Sequence, residues 1–329
     1  MNEPVNDRAS GQSTASDGQY IDGLVPVIPT PFLDGRFDDV SLGRFLDYFL
    51  PWLDGYTLLG STGEAPSLPT QERMRIAEIA MARTPPGKTV VIGVTHTSLA
   101  DSIALARHAK AIGAQGVLCA APYYFANTAD GVLRFLRGLD EALEIELVLY
   151  DNPAPSGLRL PAEVVRGWAG QLAHLHTVKL TDHDLAKIPV WHEAGLKVLA
   201  GDDPIAFRFL AAGADGTMMI APCIFPEAFR AVWDLVRGGD VSGAYEVFAA
   251  RILPLIHVYG IGDEIATSKS VLQEMGLFSS AEVLPPLEPS APDRSALVRL
   301  GYRIANRAGP GSAAGQSEAA APSEEAAVT

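Results

Sequence analysis

Lys179 is the residue whose setting is least usual for its type. It lies late in the apolar run Leu-His-Thr-Val-Lys-Leu that begins at Leu175. In water a lysine keeps its proton up to about pH 10.4 and is no nucleophile. Desolvation disfavours the ammonium and frees an amine that can attack a carbonyl carbon. The other lysines sit differently. Lys88 and Lys197 open apolar runs, and Lys110, Lys187 and Lys269 fall in helical stretches where they are expected to reach solvent. A competing reading makes Lys179 the partner of Asp182 or Asp184. Tyr150 closes the preceding apolar run, and neighbouring strands lie about 5 Å apart, so its phenol can approach Lys179 and shuttle a proton. A tyrosine there also suits simple packing at a rim, as do Tyr123 and Tyr124. Gly60-Ser61-Thr62-Gly63 is a turn whose backbone N–H groups and hydroxyls can hold a carboxylate, although many turns look like it.

The elements that have to position these groups alternate along the chain. Short apolar runs begin at Gly23, Tyr56, Lys88, Gly116, Ile145, Leu175, Leu196 and Gly216. Runs apolar at successive positions suit parallel strands buried on both faces. Between them lie amphipathic stretches with helical signals. Ser98 reads as the N-cap of a helix over 98–112, Thr70-Gln-Glu-Arg as a capping-box start for 70–82, and 128–143, 161–172 and 204–212 read as further helices. The tetrads Gly113-Ala114-Gln115-Gly116 and Gly213-Ala214-Asp215-Gly216 repeat one helix-to-strand turn. Eight strands with a helix after each predict an α/β fold, a (β/α)₈ TIM barrel with additional C-terminal helices. The expected organisation is a disordered tail over 1–19, a barrel core over 20–224, a last barrel helix and helical appendage over 225–307, and a disordered tail over 308–329. The appendage reads as helices over 241–257, 264–275 and 294–305. In such a barrel the active site lies at the C-terminal ends of the strands. That is where Ser61, Tyr124, Tyr150, Lys179, Thr181, Gly201 and Asp202 fall.

Bulk properties narrow the partners. The 329 residues carry a formal charge of −14, which argues against nucleic acid or an anionic membrane. No apolar run approaches the ~20 residues of a membrane-spanning helix. The N-terminus lacks the basic start and apolar stretch of a signal peptide, and Cys119 and Cys223 have no paired spacing; a reduced, cytoplasmic setting is expected. Cys119 reads as core. The chain has no HExxH, CxxC or GxGxxG pattern, and its seven histidines are scattered over different elements, so no metal is expected. Asp202 and Asp203 would repel the phosphate that many barrels bind after the seventh and eighth strands.

Gly-Ser-Thr-Gly-Glu from Gly60, Pro-Tyr-Tyr from Pro122, Tyr-Asp-Asn-Pro from Tyr150 and the lysine in Val-Lys-Leu-Thr-Asp occur in this order. Together they resemble the dihydrodipicolinate synthase / N-acetylneuraminate lyase family. The likeness runs from about Ile21 to Arg307 and includes Val-Pro-Val-Ile-Pro-Thr-Pro-Phe from Val25 and Gly-Asp-Asp from Gly201. It implies pyruvate or a related 2-keto acid held as an imine on Lys179, with Tyr150 relaying protons. Ser61 would link Tyr150 by hydrogen bonds to Tyr124, which in this family reaches the neighbouring subunit's site. Thr62, Gly63, Thr181, Gly201 and Asp202 would bind substrate, with Thr62 and the backbone around it on the carboxylate. No metal or organic cofactor is implied, and the expected assembly is a homotetramer, a dimer of dimers.

Two departures bear on the substrate. Dihydrodipicolinate synthases carry an arginine after the tyrosine motif for the aldehyde substrate's carboxylate, and Pro155 stands there. Losing a bidentate guanidinium penalises that substrate. Neuraminate lyases carry an acidic residue one place after the Asp203 position, and Pro204 stands there. Thr181 and Gly-Ser-Thr-Gly-Glu resemble the sugar-acid lyase branch. The reading is an aldolase or dehydratase acting on a 2-keto-3-deoxy sugar acid or a 4-hydroxy-2-keto acid. Its alternatives are a dihydrodipicolinate synthase that binds its aldehyde by other means and a non-catalytic keto-acid-binding regulator.

Overall fold

The computed structural model describes residues 20–257 and 263–307; the two tails lie outside the described residues. Eight parallel strands form one sheet: β1 (Gly23–Leu24), β2 (Gly55–Leu58), β3 (Thr89–Gly93), β4 (Gly116–Ala120), β5 (Glu146–Asp151), β6 (Leu175–Leu180), β7 (Lys197–Ala200) and β8 (Gly216–Thr217). β1 pairs with β8, and a parallel bridge from Val27 to Thr57 joins the β1 segment to β2, which closes the ring. This is the TIM barrel that the alternation predicts. The strands sit on the expected apolar runs, and every residue of β2, β4 and β5 is buried.

The first and eighth runs are regular for only two residues each. Pro26 has no N–H to give to a ladder. The segment still serves both neighbours: Val25 N donates to Thr217 O, Val27 N to Met219 O, Thr57 N to Pro26 O and Ile28 N to Thr57 O. After Thr217 the chain turns into a single helical turn, Ala221–Ile224.

The helices of the ring are α1 (Asp39–Phe49), α2 (Thr70–Arg83), α3 (Leu99–Ala111), α4 (Ala129–Asp140), α5 (Ala162–Ala169), α6 (Lys187–Glu193), α7 (Ala206–Ala211) and α8 (Pro226–Arg237). Ser98 and Thr128 cap α3 and α4 by accepting from Asp101 N and Gly131 N. The capping box expected at Thr70 does not form. Thr70 is the first helical residue, and Pro69 holds the cap position with no side-chain bond. Gly113 and Gly213 adopt left-handed φ of 92° and 96°, so both tetrads are the αβ turns they resemble.

Three helices follow: α9 (Val241–Arg251), α10 (Glu264–Glu274) and α11 (Pro292–Arg307). The helix expected over 241–257 breaks at Ile252 before a short turn, Leu253–Ile256. Pro254 is the physical reason, because it cannot donate to the preceding turn. A two-stranded hairpin, Phe32–Leu33 with Arg36–Phe37, had no counterpart among the expected elements. Its Asp34-Gly35 turn has φ of 52° and 72°, the left-handed pair that an Asp-Gly sequence favours.

Two lysines expected at solvent are buried. Lys187 is 2% exposed and Lys269 is 0% exposed. Both reach inward from their helices to carboxylates. Cys119 is buried, and burial pushes its thiol up to about 12, so it stays a neutral core residue at neutral pH.

Glu146 opens β5 at the end of the barrel away from Lys179. Burial pushes its carboxyl up from 4.5 to about 7, against a hydrogen bond from Thr177. The folded chain therefore keeps a proton that the unfolded chain releases above pH 4.5. Stability falls as pH rises from about 4.5 to about 7 and stays lower beyond. Glu146→Gln is neutral at every pH. Its melting temperature should gain a few degrees on wild type at pH 8 relative to the difference at pH 4.5. A gap between the two proteins that does not change with pH would show that another group sets the dependence.

Candidate active site

β5 and β6 pair in a register that sets Tyr150 opposite Lys179. Lys179 is 3% exposed, and its Nζ lies 3.9 Å from the centroid of the Tyr150 ring. A cation or an amine there rests on the π face of the phenol. Among the described residues Lys179 has no carboxylate within ion-pair distance. Asp182 instead accepts from Lys187 at 2.9 Å and from Arg159, and Asp184 accepts from Ala186 N at 3.2 Å. The competing reading of Lys179 as a carboxylate's partner is thus answered by Lys187.

Lys179 and Tyr150 open on a cavity of about 1030 Å³ at the C-terminal ends of the strands. Ser61 and Thr62 line it from β2, Thr181 from β6, and Gly201 and Asp202 from β7. The side chain of Asp202 accepts from His183 Nε2 at 2.6 Å. Gly201 has no room for a side chain: a Cβ would stand 2.7 Å from Thr181 Oγ1 and 2.8 Å from Leu180 O. Thr181 Oγ1 is buried beside the cavity and has no hydrogen-bond partner among the described residues. Asp203 turns inward and accepts from Ile220 N at 3.2 Å and Ala221 N at 2.8 Å. Burial pushes its carboxyl up to about 7 despite those donors. Both aspartates touch the cavity, but the Asp203 carboxylate is spent on bracing the chain after β8.

The Ser61–Gly63 turn is held in a strained frame. Leu59 and Glu64, which flank it, have left-handed φ of 59° and 56°. Non-glycine residues in that region persist only where their surroundings enforce it. Gly63 itself lies beneath the cavity surface. Its carbonyl accepts from Thr30 Oγ1 at 2.7 Å, and a Cβ there would meet Leu59 N at 2.9 Å. The Glu64 carboxylate, fully buried, pairs with Lys269 of α10 and accepts from Leu284 N at 2.7 Å. Lys269 lies over the Phe32 ring at 4.4 Å. Burial brings its amine down to about 8, with the Glu64 charge opposing.

Tyr124 stands apart from the main cavity. It is 87% exposed, has φ of 89°, and meets Phe125 edge-on at 5.1 Å. It lines a second cavity of about 390 Å³ that shares Ser61, Tyr150 and Pro155 with the first. Among the described residues the hydroxyls of Ser61, Tyr124 and Tyr150 are not hydrogen-bonded to one another. Three further ionisable residues reach the main cavity without having been singled out: Arg159, His183 and Glu264. His183 follows Lys179 by four residues, so a search around the lysine would have found it. Arg159 and Glu264 arrive through the path of a loop and of α10, which no local spacing reveals.

Lys269→Met would leave Glu64 buried without its cation. Removing one member of a buried pair costs about 3–5 kcal/mol, read as a lower urea midpoint. Glu64→Gln combined with Lys269→Met should regain most of that loss. An unchanged midpoint for the single variant would show that the pair does not hold this turn.

Similarity to known proteins agrees with the geometry. Residues 20–299 match the model of the dihydrodipicolinate synthetase family. A 4-hydroxy-tetrahydrodipicolinate synthase of Pelobacter propionicus is 30% identical over 270 residues, which is 81% of this chain and 92% of that protein. One of Acidiphilium cryptum is 30% identical over 281 residues, 84% of this chain and 95% of that one. The structure of chloride-inhibited dihydrodipicolinate synthase from Acinetobacter baumannii, complexed with pyruvate, superposes with a TM-score of 0.80 at 25% identity, covering 87% of this chain and 99% of that one. A lysine and a tyrosine facing each other in a barrel mouth, on a chain matched from end to end of its fold, make this protein a member of the dihydrodipicolinate synthetase family, the class I, Schiff-base-forming lyases and aldolases.

Proposed function

We propose that the chain cleaves or dehydrates a 2-keto-3-deoxy sugar acid or a 4-hydroxy-2-keto acid through an imine on Lys179, with pyruvate as the keto-acid product of cleavage. The observation that carries this reading is an amine 3% exposed, without a carboxylate partner, 3.9 Å from a tyrosine ring and open to a cavity. A lysine placed in this way, beside a phenol and open to a cavity, can reach the carbonyl carbon of a bound keto acid.

Lys179 Nζ attacks the keto carbon, and loss of water leaves a cationic imine. That cation draws the electron pair of the C3–C4 bond, which breaks to an enamine and an aldehyde. Tyr150 takes the proton of the C4 hydroxyl as the bond breaks. Protonation at C3 and hydrolysis then release pyruvate and restore the amine. Ser61, Thr62 and the backbone around Gly63 hold the substrate carboxylate across from Lys179. Thr181, Gly201 and Asp202 meet the remainder. In the dehydratase variant the same imine acidifies C3, and hydroxide leaves from C4.

The preference for a hydroxylated substrate is supported by the cavity wall. Pro155 lines it where the synthases of this family place an arginine. Asp184 and Asp202 lie on the same wall, and carboxylates accept from hydroxyls. The second reading, 4-hydroxy-tetrahydrodipicolinate synthase activity, is favoured by the names of the relatives at 30% identity. Arg159, four residues beyond Pro155, is the cation available on this wall to the carboxylate of an aldehyde substrate. We further propose that the protein works in the cytoplasm as a dimer of dimers in which Tyr124 completes the neighbour's site; its exposure and strained backbone support that role.

Borohydride reduction in the presence of pyruvate should add the mass of the reduced adduct to the peptide containing Lys179, and Lys179→Ala should abolish it. Lack of the adduct in wild type would rule the imine out. Tyr150→Phe should still trap pyruvate but lose roughly 10²–10⁴-fold in turnover. Pyruvate release from a panel of 2-keto-3-deoxy sugar acids, set against condensation of pyruvate with aspartate semialdehyde, decides between the two readings.

A further inference from the structure

The imine chemistry leaves one deeply buried lysine without a task. Lys187 opens α6, and its side chain is 2% exposed. Its Nζ donates to Asp151 Oδ2 at 2.7 Å and to Asp182 Oδ2 at 2.9 Å, on carboxylates whose own side chains are 1% and 3% exposed. Asp151 directly follows Tyr150 at the end of β5. Asp182 lies three residues past Lys179, just beyond the end of β6. One ammonium therefore ties together the C-terminal ends of the two strands that carry the reacting pair. Arg159 donates to the other oxygen of Asp182 from the cavity wall, so charges alternate through Arg159, Asp182, Lys187 and Asp151. Burial opposes the charge of Asp182, but Lys187 and then Arg159 outweigh it and hold that carboxyl below its usual range. At Asp151 burial prevails over Lys187 and raises the carboxyl.

A buried ion pair of this kind adds little net stability over apolar residues of the same volume, so its value lies in the geometry that it imposes. Here the geometry is the approach of β5 to β6 at the active end, where the pairing Asp151–Leu180 is the last rung of the ladder. We propose that Lys187 is a positioning residue that clamps the ends of β5 and β6 and thereby holds Tyr150 and Lys179 in their reacting arrangement. The proposal rests on the imine reading given above. The turn proposed for the substrate carboxylate, Ser61 to Gly63, comes from β2 and, among the described residues, makes no hydrogen bond with this network. Loss of the clamp should therefore slow the covalent step without weakening the hold on the keto acid.

The test compares wild type with Lys187→Met, Lys187→Arg and the double variant Lys187→Met/Asp151→Asn. Pyruvate is the probe. Imine formation is followed by rapid borohydride quench and mass spectrometry over a range of pyruvate concentrations, with circular dichroism and melting to score folding. The double variant removes one cation and one anion and leaves Asp182 with Arg159. No buried charge is stranded, so it reports on the clamp even where Lys187→Met fails to fold. In folded variants lacking the clamp, the limiting rate of imine formation should fall roughly 100-fold, as for a displacement of about 1 Å. The half-saturating pyruvate concentration should change little, and Lys187→Arg, which can bridge the same two carboxylates, should recover most of the rate. A folded double variant with the wild-type limiting rate would overturn the positioning role, as would a loss seen only as weaker pyruvate saturation. Wild type is the control that separates the two ideas. No adduct there defeats the imine chemistry itself, whereas a wild-type adduct together with an unimpaired double variant defeats the clamp alone.

Discussion

Tyr150 and Lys179 face each other across adjacent parallel strands, and the proposed chemistry depends on that register. Side chains alternate between the two faces of a strand, so a slip by one residue would turn either group out of the barrel mouth. The register is well enforced. Every residue of β5 is buried, and β6 is buried except for a half-buried His176. Moving such a strand would exchange core for solvent along its length. The irregularity between Leu147 and Val148 is taken up near the N-terminal end of the pair, and beyond it the ladder runs in register to Asp151 and Leu180.

Three lysines of this barrel are almost fully removed from water, and their partners give them different work. Lys269 faces one carboxylate, Glu64, and anchors the Ser61–Gly63 turn to α10. Lys187 faces two, Asp151 and Asp182, and donates to both. Lys179 faces a tyrosine ring. At Lys269 burial lowers the amine to about 8 against the opposing charge of Glu64. Among the described residues, the lysine with no carboxylate at ion-pair distance is the one that opens on the cavity.

Backbone strain is concentrated around the same mouth. Leu59 and Glu64 bracket the Ser61–Gly63 turn, and Tyr124 marks the loop after β4; all three are left-handed without being glycine. The buried Glu64–Lys269 pair is the tertiary contact that enforces the first of these frames, at a distance of 205 residues along the chain. Tyr124 has no comparable restraint among the described residues and stands at the edge of the smaller cavity beside Tyr150.

Much of this was legible in the order of residues. Eight apolar runs separated by amphipathic stretches specify a parallel barrel, because only strands buried on both faces tolerate such runs. Lys179 near the end of the sixth run, with Tyr150 at the end of the fifth, then falls at the active end of neighbouring strands by the rule of the fold. What the order of residues left undecided is which way the polar side chains between the strands turn. Lys187 and Lys269 were expected at solvent, since a helical position does not say what lies across from its inner face. Asp202 and Asp203 are adjacent and alike, yet one carboxylate pairs with His183 and the other braces Ile220 and Ala221. Arg159 and Glu264 reach the cavity from a loop and from α10, a helix beyond the eighth strand. Hydrophobic period is a local property and can be read one stretch at a time. The partner of a buried charge is chosen when distant segments pack, so that choice belongs to the tertiary structure.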